Sequence, residues 1–170
     1  MTADGRLVLL HEPWLSSVRS LGGWAHQTTW SNLRHTRLRG HDATPTDETP
    51  MLLDDLLDGV PRDLPVRVEV KAHGDPELGR ATAAAVCRVA GTPRDRGRAE
   101  ILSFHTIACE ETVGHGMPAR LVAWADCAPA ALARWAALAR VGGVCIEHLL
   151  LHRTRGGSSD SPSAKPTEEA

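Results

Sequence analysis

Apolar and polar positions alternate most cleanly in LPVRVEVKAHGD, residues 64–75. Val66, Val68 and Val70 fall on one side of an extended chain; Arg67, Glu69 and Lys71 fall on the other. The pattern predicts a strand over 66–72. Downstream the period changes in a regular rhythm. Asp75-Pro76 caps a predicted helix running to about Ala90, with Leu78, Ala81, Ala85, Val86 and Val89 as its apolar stripe. Gly91-Thr92-Pro93 stops it, and AEILSFH (99–105) reads as a strand. Residues 106–116 read as a helix ending near Gly114 or Gly116. ARLVAWAD (119–126) is a strand. APAALARWAALAR (128–140) is a helix with Leu132, Trp135, Ala136 and Ala139 on one face, ended by Gly142-Gly143. VCIEHLL (144–150) is a further strand.

Upstream the pattern is weaker. LVLLH (7–11) reads as a short strand after an Asp4-Gly5 turn. Residues 12–50 are irregular, with a short helix expected over Trp30–Leu38. Thr49 and Pro50 look like the N-cap and first position of a helix continuing through MLLDDLL to Gly59. From residue 50 onward the order is therefore α-β-α-β-α-β-α-β. Short apolar strands alternating with helices imply a parallel sheet in an α/β fold, either doubly wound or part of a (β/α)8 TIM barrel. A whole barrel takes roughly 250 residues. RTRGGSSDSPSAKPTEEA reads as a disordered polar tail over 153–170, leaving one domain at 1–152.

Composition narrows the class. The chain has 170 residues, 42% apolar and 24% charged, with a net charge of −2. That balance gives no global attraction to nucleic acid or to an anionic membrane. The basic stretch WSNLRHTRLRGHD could touch a phosphate backbone, but its charge is local. No apolar run approaches the roughly 20 residues of a membrane span. The N-terminus does not read as a secretory signal, so a cytoplasmic location is expected. Cys87, Cys109, Cys127 and Cys145 lie in apolar contexts without a CxxC pair, and are expected as buried small hydrophobes. Lysine occurs only at Lys71 and Lys165, where arginine is the cation elsewhere. A compact ammonium at Lys71 is a departure from the chain's own habit.

In parallel α/β folds, sites gather at the carboxyl ends of strands. Those ends offer Glu69, Lys71 and His73; Ser103 and His105; Trp124 and Asp126; Glu147 and His148; and His11 and Glu12. Carboxylates with histidines suit a hard divalent cation assisted by acid and base groups. Plainer readings compete. A strand-end histidine can be structural, Glu69 and Lys71 can form a solvated edge, and Asp126 can cap the next helix. No P-loop, no GxGxxG after a strand and no GxSxG is present.

The ordered set TADGRLVLLHEPWL, WSNLRHTRL, TPMLLDDLLDGVP, LPVRVEVKAHGDP and AEILSFH resembles the glycerophosphodiester phosphodiesterase family. The likeness runs from Met1 to about His152 and implies a TIM-barrel fold. It also implies metal-assisted hydrolysis of glycerophosphodiesters to glycerol 3-phosphate and an alcohol, with Ca²⁺ or Mg²⁺ as cofactor. By the same resemblance Glu69 is a metal ligand, His11 is a catalytic histidine, and Lys71 neutralises the phosphate or positions Glu69. Ser103, His105, Trp124 and Glu147 remain strand-end candidates. The family's HRG and E-x-D strands, and its last two strands, have no counterpart in these residues. The chain therefore reads as the middle of a barrel with open sheet edges, which a second copy could cover. The alternative is a non-catalytic remnant or a partner-binding α/β module of the same fold. A third reading is an open-sheet protein that only mimics the motifs; Glu69 and His11 on opposite sides of the sheet would exclude the family.

Overall fold

The computed structural model describes residues 1–15, 22–40, 42, 44–123 and 127–146. The predicted tail, and the expectations placed on Trp124, Asp126, Glu147 and His148, lie outside them. At its centre is a parallel sheet of β3 (Val66–Val70), β4 (Ala99–Ser103), β5 (Ala119–Ala123) and β6 (Gly143–Ile146), in that spatial order. The connections are α3 (Pro76–Ala90), α4 (Thr106–Gly114) and α5 (Pro129–Ala139). A two-stranded antiparallel pair, β1 (Val8–Leu9) with β2 (Met51–Leu52), lies upstream. Between its strands comes the short helix α1 (Trp30–Leu33), and α2 (Leu53–Gly59) follows β2.

The alternation in β3 is realised as expected. Val66, Val68 and Val70 are buried, and Arg67 and Glu69 are exposed. The valines pack with Leu53 and Leu57 of α2, Ala83, Val86 and Ala90 of α3, and Ile101 of β4. Burial of each such side chain stabilises the fold by about 1.5–3 kcal/mol. The opposite face carries Arg67, Glu100 and Arg120. Glu100 accepts from Arg67 Nε at 3.1 Å and from Arg120 Nε at 2.6 Å, tying three adjacent strands together.

Helix α3 starts where the sequence places it. Asp75 accepts from the amides of Glu77 and Leu78, at 3.0 and 3.1 Å, and Pro76 opens the first turn. Its buried face keeps Ala85 and Val86 of the expected stripe and adds Gly79, Thr82, Ala83, Cys87 and Ala90; Leu78 and Val89 are half-buried and Ala81 is exposed. The reason is close approach: a Cβ on Gly79 would stand 3.0 Å from Cβ of Ala72, so the helix seats through its small residues. On α5 the expected face holds, with Leu132 and Trp135 packed on Cys109, Ala119 and Leu121.

Four further expectations are corrected. The helix assigned from Thr49-Pro50 begins only at Leu53, because Met51 and Leu52 pair with Leu9 and Val8. Helix α1 ends at Leu33, short of Leu38. Gly143 opens β6, and Arg140 supplies the left-handed residue that closes α5, at φ 56°. Of the cysteines, Cys87 and Cys109 are buried, but Cys145 is exposed; all four are free thiols. Burial, then the charge of Glu110, pushes the Cys109 thiol up to about 11. Among the described residues, no helix is long and apolar enough to cross a membrane.

Candidate functional site

The turn before β1 is a small hydrogen-bonded device. Thr2 Oγ1 donates to Asp4 Oδ1 at 2.7 Å and accepts from the Arg6 amide at 2.9 Å. Gly5, at φ 78°, takes the left-handed conformation the turn requires. Asp4 also accepts from the Trp30 amide at 3.0 Å, which ties the turn to α1. The hydrogen bond from Thr2, followed by that from Trp30, holds the Asp4 carboxyl below its ordinary range. β1 follows this turn, and Glu12 beyond it lines the cavity at the carboxyl end of β3.

A cavity of about 380 Å³ opens at the carboxyl ends of β3 and β4. Glu12, Glu69, Lys71, His73, Phe104 and His105 line it, together with Val70 and Ala72. Lys71 lies just past the last residue of β3, and its Nζ donates to Glu69 Oε1 at 2.8 Å. Both side chains are about one-third exposed or less (26% and 34%), so the pair is neither a fully solvated edge nor a buried bridge. Its ammonium keeps donors in reserve for an anion in the cavity.

His73 stands at φ 45°, in the left-handed region that few non-glycine residues occupy, and Gly74 follows at φ 79°. Such strain is characteristic of functional turns. Partial burial lowers the pKa of the His73 imidazole below its ordinary value. The charges of His105, Lys71 and His26 act in the same direction, and Glu12 opposes them. A His73 imidazole held below its ordinary pKa is neutral more readily than a free one, and in that form it can accept a proton.

Beneath the cavity floor Ser103 is fully buried. Its hydroxyl donates to the Val70 carbonyl at 2.7 Å and accepts from the His105 amide at 3.1 Å. It clamps the ends of β3 and β4 together and fixes the entry to α4, so its place is under the site.

Of the residues singled out in the sequence, Glu12, Glu69, Lys71, His73 and His105 meet in one cavity. His11 is solvent-exposed and faces Glu12, with Nδ1 and Oε1 3.2 Å apart. It is not among the residues that line the cavity. Trp124 and Glu147 lie outside the described residues. The sequence pattern did not reveal that Trp24 packs on His73, with ring centroids 4.8 Å apart.

Two carboxylates, Glu12 and Glu69, face the cavity. Among the described residues, no group of three or more His, Cys, Asp or Glu side chains could hold a metal ion. A hard divalent cation takes six to eight oxygen ligands or keeps much of its water. The donors described here do not by themselves fit one, and no step below is routed through a metal.

No protein-family model matches the chain, and no curated protein matches it in sequence. Solved structures do. A glycerophosphodiester phosphodiesterase from Parabacteroides distasonis superposes with a TM-score of 0.70 at 18% identity, over 91% of this chain and 60% of its own. An Oleispira antarctica phosphodiesterase, in complex with the product sn-glycerol-3-phosphate, gives 0.73 at 17% identity, over 91% and 64% respectively. The fold is thus that of the glycerophosphodiester phosphodiesterases, a TIM-barrel type, and this chain spans about three-fifths of their length. The parallel sheet with alternating helices is the corresponding part of the barrel.

Proposed function

We propose that the cavity at the ends of β3 and β4 binds the phosphate of a glycerophosphodiester, and that the site hydrolyses the diester to glycerol 3-phosphate and an alcohol. The observation that supports this most is the Lys71 ammonium, oriented by Glu69 at 2.8 Å in a cavity that also holds two imidazoles. Lys71 binds a non-bridging phosphate oxygen and offsets the charge that grows there in the transition state. His73 removes the proton from the neighbouring glycerol hydroxyl. That oxygen forms a bond to phosphorus, and the bond from phosphorus to the alcohol oxygen breaks. The departing oxygen takes its proton from His105 or from His11. Water then adds to the cyclic phosphate, one ring P–O bond breaks, and the ring oxygen gains a proton. The products are glycerol 3-phosphate and the free alcohol.

The test is turnover of a glycerophosphodiester by the purified chain, with and without calcium or magnesium, followed by phosphorus NMR. Wild type should release glycerol 3-phosphate. Lys71→Met should lose about 10²–10³ in kcat, the scale of removing one oriented donor from a developing oxyanion. Equal rates for wild type, Lys71→Met and Glu69→Gln would remove the pair from the mechanism. Saturable binding of glycerol 3-phosphate without turnover under any condition would replace the enzyme by a binding module of the same fold.

A further inference from the structure

The helices cover one face of the sheet. Val68 of β3, Ile101 of β4 and Leu121 of β5 belong to the clusters that seat α2, α3, α4 and α5. Side chains alternate along a strand, so the intervening residues share the opposite face. Arg67, Glu100 and Arg120, each the second residue of its strand, form a charged row there. Beyond that row lie Leu102, Val122 and Cys145, with Val122 directly opposite Cys145 in the ladder. Leu102 and Val122 are half-buried and Cys145 is exposed; none of the three joins the clusters that hold the helices. A parallel sheet is ordinarily covered on both faces. This one is also open at its sides. β3 and β6 are its edges, and neither makes a second ladder among the described residues. Next to β3, the Thr82 hydroxyl is buried without a hydrogen-bond partner, in a cavity it shares with Leu9, Val68 and Val86. Next to β6, α5 buries none of its residues, and Leu138 is 85% exposed.

Four parallel strands are half of the eight in a closed (β/α)8 barrel. A two-fold axis along the strands leaves every strand direction unchanged. It sets β6 of each copy beside β3 of the other, so eight strands stay parallel and no edge is left. We infer that two copies of this chain close such a barrel, with β3 of each paired to β6 of the other at two equivalent seams. The uncovered face becomes the barrel interior, filled by Leu102, Val122 and Cys145 of both copies. The charged row falls near the amino-terminal mouth, where long guanidinium side chains reach water. At each seam α5 of one copy meets α2 of the other, which covers the surface that now exposes Leu138. Because the strands stay parallel, both strand-end cavities open at the same mouth, and Glu69 and Lys71 of one copy face those of the other across it. The inference does not depend on the phosphodiester reading of those cavities.

Sedimentation equilibrium of the full chain reads the stoichiometry. A reductant is kept present, so that no disulfide through the exposed Cys145 can link two copies. The expected mass is twice 18.3 kDa. Cys145→Glu, checked for folding by circular dichroism, places a carboxylate in the closed interior and should weaken the dimer by more than about tenfold, since a buried unpaired charge costs several kcal/mol. Hydrogen exchange then locates the contact. Amides of β3 and β6 should be protected in the dimer and lose that protection in Cys145→Glu, while β4 and β5, paired on both sides within one copy, keep theirs. Dilution of wild type gives the same comparison without a substitution. A monomer at every concentration tested, or an assembly of three or more copies, would overturn the inference. So would a dimer that a folded Cys145→Glu leaves intact, or one whose dissociation leaves exchange at β3 and β6 unchanged, because either result puts the contact on another surface.

Discussion

Ser103→Ala gives the clearest quantitative handle on how the fold holds its site. The hydroxyl has no solvent exposure and serves two backbone groups, the Val70 carbonyl at 2.7 Å and the His105 amide at 3.1 Å. The substitution removes a single oxygen, so the cavity it leaves is small and the cost is mainly polar. An intramolecular hydrogen bond contributes about 1 kcal/mol net, and a buried group left without a partner costs about 1–3 kcal/mol. Two bonds lost together, with the His105 amide abandoned at the entry to α4, give about 2 kcal/mol. With a urea m-value of about 2 kcal/mol/M, the unfolding midpoint should fall by about 1 M. Hydrogen exchange supplies the local readout: protection of the His105 amide should drop more than that of Ile101 in mid-strand. A loss below about 0.5 kcal/mol, with His105 protection unchanged, would show that the clamp does not hold β3 to α4.

Other expectations follow from the same structure. Arg98→Ala should destabilise by about 3–5 kcal/mol in urea unfolding, because it leaves Asp95 as an unpaired charge. Arg98 and Asp95 are both 7% exposed and 2.7 Å apart, and the guanidinium also donates to the carbonyls of Leu57, Val60 and Pro61. His73→Asn should flatten part of the pH dependence of stability on the acid side. The folded pKa of His73 lies below its unfolded value, so the unfolded state binds more protons between the two. Wild type should therefore lose stability as pH falls through that window, and the variant should lose less; asparagine tolerates the left-handed backbone there. Parallel pH curves for the two proteins would contradict this. Gly91→Ala should destabilise measurably by thermal unfolding, since its Cβ would clash with the Cys87 carbonyl oxygen.

Legibility followed period and locality. Val66, Val68 and Val70 announced a strand because a period of two matches an extended chain and no helix, and Asp75-Pro76 announced a helix start because both residues act within one turn. Lys71 and Glu69 were visible as a pair because two residues on one strand face must meet. The hairpin was harder. Met51 and Leu52 carry a helical pattern forward into Leu53 and Leu57, but pairing with Val8 and Leu9 overrides it, and that partner is distant in sequence. On α3 the stripe was legible at Ala85 and Val86, but the small inward residues Gly79, Thr82 and Ala83 were not, because hydrophobicity alone does not report close approach. The contact of Trp24 with His73 was hidden for a similar reason. Both sit in turns without periodicity, and only folding sets Trp24 on His73.

The central claim is that Lys71, held by Glu69, is the phosphate-binding group of this cavity. The most direct measurement is calorimetric titration of sn-glycerol 3-phosphate into wild type, Lys71→Met and Lys71→Arg. Saturable binding by wild type should be lost in Lys71→Met and partly kept in Lys71→Arg, which retains the charge while changing its shape. Equal affinity for wild type and Lys71→Met would contradict the claim.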